Sequence, residues 1–125
     1  HWMDICGAIA GMRFATRQVV TASMDHVDFI SSIEVGEVAI VEAYVFNTGH
    51  TSLDVKVDVR AENPRTGDER RTTTSFFTFV ALDEQGDPAP VPKLECPTPA
   101  EEALREEAVE GRREQLEEVV DRYDL

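Results

Sequence analysis

Hydrophobic and polar positions follow two different rhythms along this chain. Between residues 51 and 61, Leu53, Val55, Val57, Val59 and Ala61 alternate with Asp54, Lys56, Asp58 and Arg60. A period of two puts the apolar set on one face and the charged set on the other, which marks a strand with one buried and one wet side. Residues 19–30, 38–47 and 70–82 are rich in β-branched and aromatic residues and also read as strands. The last of them ends in Phe76, Phe77, Phe79, Val80 and Leu82. Turn residues separate these stretches: Glu34 to Gly36, then Thr48-Gly49-His50, then Asn63-Pro64-Arg65-Thr66-Gly67.

The second rhythm is helical. Trp2, Ile5, Cys6, Ile9 and Met12 recur at helical spacing over residues 1–16, and Gly7, Ala8, Ala10 and Gly11 keep the rest of that surface small. Each glycine costs a helix about 1 kcal/mol relative to alanine. A helix carries that cost where another element lies close against its backbone, here a sheet wrapped around it. After a loop with several prolines at 83–97, Thr98-Pro99-Ala100-Glu101 supplies a cap, a first-turn proline and a capping-box acid. The helix that follows runs to about Asp121. Its apolar residues (Leu104, Ala108, Leu116, Val119, Val120) are sparse, so it is expected over the sheet edge or at a subunit contact, acidic face to solvent. The whole reads as an α+β chain, one small-residue helix followed by four antiparallel strands in meander order. A single sheet of this kind leaves a bare edge that invites pairing with a second copy.

At 125 residues the chain is the size of one domain. Twenty-five acids against twelve bases give a net charge of −13. Binding to nucleic acid or to an anionic membrane needs a basic face, so neither is an expected partner. No apolar run approaches a membrane span. Only Lys56 and Lys93 are lysines, and residues 95–125 alone hold eleven acids and four bases. Many hydrated carboxylates with few lysines point to a surface adapted to high salt, the alternative being an ordinary acidic cytoplasmic protein. Cys6 and Cys96 lie far apart and make no metal-binding spacing, as expected of unpaired thiols in a reducing compartment.

No phosphate loop, nucleophile elbow or metal-ligand motif is present, and His26 and His50 stand alone, so neither a metal nor a cofactor is expected. Asp4 stands out, because it lies in the most apolar helix of the chain. Burial among Trp2, Met3, Ile5 and Cys6 would raise its pKa toward the range of a general base, whereas an exposed place near the helix start would merely suit the helix dipole. Asp25 and Asp28 flank His26, one of them expected to face solvent and the other to bond a neighbouring loop. Arg70 and Arg71 are expected opposite the Thr48–Ser52 turn, where with His50 they would either hold a phosphate or simply balance Glu62, Asp68 and Glu69.

Trp2-Met3-Asp4 with its small-residue helix, then Val20-Thr21-Ala22-Ser23-Met24-Asp25-His26-Val27-Asp28-Phe29, resembles the hotdog-fold acyl-CoA thioesterases. The likeness is to the cytosolic long-chain (brain-type) acyl-CoA hydrolase group. It continues through Val35-Gly36, Thr48-Gly49-His50-Thr51-Ser52, the run Ser75 to Leu82, Pro90-Val91-Pro92 and Glu110-Gly111-Arg112-Arg113. The resemblance implies a sheet wrapped around a helix, protomers joined through a continuous sheet, and a trimer of such dimers. It implies hydrolysis of acyl-CoA to free acid and CoA in the cytoplasm, CoA being part of the substrate and no cofactor being needed. Asp4 matches the family's catalytic aspartate, a general base toward water or else a nucleophile. His50, Thr51, Ser52 and Arg71 become candidate CoA contacts. The family also uses a Gly-Asn-x-x-Gly-Gly segment and a first strand ahead of this helix. Since the chain opens on His1, residues 1–125 are expected to be one hotdog domain lacking both. Ile5 and Phe14 stand where many members carry Glu and His. A hotdog protein that binds acyl-CoA or acyl groups without hydrolysing them is the alternative. A dehydratase is disfavoured because its catalytic histidine has no counterpart within the helix.

Overall fold

A computed structural model describes residues 2–25, 28–96 and 98–123, with Trp2, Asp28, Phe29 and residues 118–123 described in their backbone only. Helix α1 (Trp2–Ala15) opens the chain, followed by β1 (Gln18–Met24), β2 (Asp28–Phe29), β3 (Val38–Thr48), β4 (Ser52–Glu62), β5 (Glu69–Leu82) and α2 (Pro99–Tyr123). All strand pairs are antiparallel. The β4–β5 hairpin turns through Asn63–Gly67, where Gly67 adopts φ +77 and its N–H closes on the Asn63 carbonyl at 2.7 Å. That backbone region is open to glycine and strained for other residues.

Two expectations about the strands are corrected. The stretch 19–30 is two strands rather than one, with a bulge between Thr21 and Ser23 and a break before Asp28, so both pieces follow the curvature of β5. His26 and Val27 lie outside the described residues. The sheet is also not a simple meander: its order is β1-β5-β4-β3. The chain leaves β2 through residues 30–37 and re-enters at the far side, so β1 neighbours the last strand instead of β3.

The sheet carries one helix on each face. Leu53, Val55, Val57, Phe77, Phe79 and Ala81 form the core under α1, where Met3, Ala8 and Ala10 pack against them. Phe76 points the other way and joins Phe46 and Ala108 under α2, the two rings meeting edge to face at 5.8 Å. Helix α2 therefore covers the face of the sheet opposite α1, in place of the expected position over an edge. Small residues make this approach possible, since Ala108 is buried and a Cβ on Gly111 would lie 3.5 Å from Phe76. Leu104 and Leu116, expected as its apolar contacts, face outward instead. The charged face of β4 is thereby covered, and Lys56, expected in water, is only 4% exposed.

Candidate active site

Helix α1 is built to lie close. A Cβ on Gly7 would meet Phe79 and Val57 at 3.3 Å, and one on Gly11 would meet Leu53 at 3.0 Å. Asp4 shares the helical stripe of Ala8, Gly11 and Ala15, at i, i+4, i+7 and i+11. Gly11 and Ala15 are buried on that stripe, but Asp4, in the first turn, is exposed. Of the two readings of this carboxylate, the single chain shows the exposed one. Among the described residues no hydrogen bond or ion pair reaches it. Ile5, Ile9 and Met12 form a second stripe on α1, also exposed. Ile5, Cys6 and Ile9 line a groove of about 470 Å³ with Ala39 and Val41 of β3. The Cys6 thiol there is pushed up from its ordinary pKa by burial and then by the Glu42 carboxylate, and its Sγ lies 3.6 Å from the Val41 carbonyl oxygen.

The Thr48–Ser52 turn lies at the α1 C-terminal end of the sheet, for Gly11 touches both Leu53 and Val19. His50 is exposed, and Thr51 and Ser52 are half-buried. The turn is held by its backbone: the Val91 N–H donates to the His50 carbonyl and the Ala81 N–H to the Thr51 carbonyl, each at 2.9 Å. The hydroxyl of Thr48 accepts from the Leu94 N–H at 3.2 Å. These bonds leave the His50 imidazole facing solvent.

Arg70 and Arg71 are not opposite this turn. Ser52 pairs with Val80, whereas Arg71 pairs with Arg60, nine residues back along β5 and so about 30 Å away at strand rise. Arg71 also faces α2, with Glu107 at 3.8 Å and Asp58 at 3.9 Å, on the side of the sheet away from Asp4. Arg70 is tied to the 30s segment, donating to Glu37, to the Ser32 carbonyl at 2.6 Å and to Ser31 at 3.2 Å. Hydrogen bonds from Arg70, then one from the Glu34 backbone N–H, hold the Glu37 carboxyl down at about 2. Within one chain Asp4, in the first turn of α1, and the turn, at the C-terminal end of that helix, stand at opposite ends of α1, and Arg71 lies apart from both.

Two polar clusters under α2 are not expected from the sequence, although Asp25 and Arg112 lie in stretches that carry the resemblance. In one, Arg112 donates to Asp25 at 2.8 Å and to Thr78 at 3.1 Å and pairs with Asp54 at 3.0 Å. Asn47 and Thr78 also donate to Asp54. Asp25 thus bonds a helix arginine rather than a loop, while His26 and the Asp28 side chain lie outside the described residues. In the other, the Lys56 ammonium lies 3.5 Å from Asp58, 4.0 Å from Glu107 and over the Tyr44 ring. Burial, followed by the Asp58 and Glu107 carboxylates, pushes the Tyr44 phenol up to about 12. A signal was available, because Arg105, Ala108, Arg112 and Gln115 recur at i, i+3, i+7 and i+10, a sheet-facing stripe in an otherwise acidic helix.

An antiparallel sheet wrapped on a glycine- and alanine-faced helix, with a carboxylate in that helix's first turn, defines a hotdog α+β domain. The family model of the thioesterase superfamily matches residues 1–67. An acyl-CoA thioester hydrolase of Bacillus subtilis, YkhA, is 40% identical over 113 residues, which are 90% of this chain and 66% of that protein. The crystal structure of an apo-hexameric acyl-CoA thioesterase superposes with a TM-score of 0.80 at 42% identity, covering 94% of this chain and 76% of that one. An acyl-CoA hydrolase of Staphylococcus aureus, solved with butyryl-CoA, CoA and CoA disulfide, gives 0.74 at 31% identity, over 98% and 78% of the two chains. The chain belongs to the thioesterase superfamily. It spans about two-thirds of the length of the Bacillus subtilis relative. Among the described residues no helix is long and apolar enough to cross a membrane.

Proposed function

We propose that this chain hydrolyses acyl-CoA thioesters to a free carboxylic acid and CoA, with Asp4 as the general base. The observation that carries the reading is the place of Asp4, a carboxylate without a partner among the described residues, on the small-residue stripe of α1 in a member of this superfamily. In this reading Asp4 takes a proton from water, the water oxygen bonds to the thioester carbonyl carbon, and the C–S bond breaks. The CoA sulfur leaves with the electron pair and the proton passes to it. The apolar groove along Ile5, Cys6 and Ile9 offers a fatty arm a wall on the β3 side of α1.

The reading includes a second copy. Strand β1 pairs only with β5 among the described strands, and its Val20 and Met24 are 47% and 56% exposed. A bare, partly apolar edge favours pairing with the same edge of another protomer, and hexameric relatives support the assembly. Such a contact would enclose Asp4, dry its surroundings and raise its pKa toward usefulness. His50, Thr51 and Ser52 are the proposed CoA contacts from the turn. Arg71 enters only as a residue that meets CoA bound by a neighbouring copy, since within one chain it lies on the other face. The unpaired thiols of Cys6 and Cys96 suit a reducing cytoplasm, and the acid-rich surface suits a salty one.

The test is CoA release from a panel of acyl-CoAs, followed with a thiol reagent. Asp4→Asn should lower kcat by about a hundredfold or more while leaving acyl-CoA binding intact. Undiminished turnover by Asp4→Ala would remove Asp4 from the mechanism. Binding without turnover in the unaltered chain would favour an acyl-CoA carrier instead.

A further inference from the structure

We infer that Arg112 is a positioning residue for the β1 edge, coupling the last helix to the contact between copies on which the proposed site depends. The inference rests on that reading of the edge.

Arg112 is half-buried and each of its guanidinium nitrogens is engaged: Nε with Asp25 at 2.8 Å, Nη1 with Asp54 at 3.0 Å, Nη2 with Thr78 at 3.1 Å. These partners come from different parts of the sheet. Asp54 is on β4, Thr78 on β5, and Asp25 follows the last residue of β1. Asp54 is held independently of Arg112, because Asn47 of β3 donates to one of its oxygens at 3.0 Å and Thr78 to the other at 2.7 Å. The side chain of Asp25 has Arg112 as its partner among the described residues. Its backbone N–H donates to the Phe76 carbonyl at 2.8 Å.

Asp25 marks the point at which β1 stops following β5, ahead of β2. Met24, beside it, is the most exposed large apolar residue of β1. The bulge between Thr21 and Ser23 already bends this edge. The strand end is then held by the Asp25 backbone N–H on the Phe76 carbonyl and by one charge-assisted bond from α2 to its side chain, and such bonds are stronger and more directional than neutral ones. A guanidinium can bridge two carboxylates and a hydroxyl at once because its donors form a rigid planar fork, while a lysine ammonium is a single point. Removing Arg112 leaves Asp25 and Asp54 as two close, uncompensated acids, and the strand end is pushed out of line with its opposite number in the partner.

The experiment measures self-association by sedimentation velocity and CoA release across a range of protein concentrations. Arg112→Lys should keep its helix content and weaken self-association by about tenfold, the size expected from one charge-assisted hydrogen bond. Its activity should fall at low protein concentration and recover as concentration rises, with kcat at full assembly unchanged. Asp25→Asn, which leaves Asp54 and Thr78 to hold α2, should act the same way and covers the case in which Arg112→Lys does not fold. Arg113→Gln is the control, since among the described residues Arg113 pairs only with Glu110 and Glu117 of its own helix. Association of Asp25→Asn at the unaltered strength would overturn the inference and leave the proposed activity standing. A loss of activity that no protein concentration restores would overturn it too. An unaltered chain that stays monomeric would overturn both the edge contact and the role of Arg112. Association without turnover would overturn only the activity.

Discussion

Gly11 and Leu53 meet where α1 crosses β4, so closely that a Cβ on the glycine would stand 3.0 Å from Leu53 Cδ1. Leu53 is completely buried in the core and has no solvent side to yield into. Gly11→Val should therefore destabilise the fold by about 2 kcal/mol or more, because overpacking outweighs the helix propensity gained over glycine. Urea denaturation reads this as a lower midpoint at an unchanged slope. A variant as stable as the parent would mean that α1 lies further from the sheet than this contact requires.

Lys56 gives a second test. It is nearly enclosed under α2, with Asp58, Glu107 and the Tyr44 ring as company. Lys56→Ala removes a buried stem and leaves part of the acidic pair uncompensated. The expected loss is about 3 kcal/mol by thermal or urea unfolding. A loss within about 0.5 kcal/mol, the range of ordinary surface changes, would show that α2 does not cover β4 in solution.

The Glu37–Arg70 pair makes a prediction about pH. The Glu37 carboxyl is depressed in the folded chain from its ordinary 4.5 to about 2. A depressed folded pKa stabilises the fold above the unfolded value, and that stability is lost as pH falls from about 4.5 through about 2. The pair is solvent-facing, so its effect is modest and screened by salt. Glu37→Gln should be less stable than the parent at pH 7, and the gap should shrink as pH falls and close below the folded pKa of about 2. A gap between the two that stays constant across that window would contradict the pairing.

Salt offers the broadest measurement. With a net charge of −13, self-repulsion opposes the compact state at low ionic strength. The melting temperature should rise strongly from low salt to molar KCl. Equal stability at both would count against a surface adapted to salt, leaving the fold and the proposed chemistry untouched.

Local signals are legible in the chain of residues itself. The alternation from Leu53 to Ala61 becomes β4, Asn63–Gly67 becomes the hairpin turn, and Thr98 caps α2 by accepting from the Glu101 N–H at 3.2 Å. Each of these depends on neighbours a few residues apart, and side-chain period and turn chemistry report such neighbours directly. The small-residue stripe of α1 likewise announces its close approach to a sheet.

Tertiary structure decided the rest. Nothing in residues 18–29 says that their partner is β5 rather than β3, because the bonds between strands are made by backbone groups common to every residue. That choice sends residues 30–37 across the sheet and leaves β1 at an edge. The alternation in β4 separated two faces but could not say that α2 would cover the charged one, burying Lys56 and drawing Arg112 onto Asp25 across 87 positions of sequence. Asp4 shows the division most clearly. Its stripe on α1 follows from helical spacing alone, while its exposure depends on what lies beyond its own turn of helix.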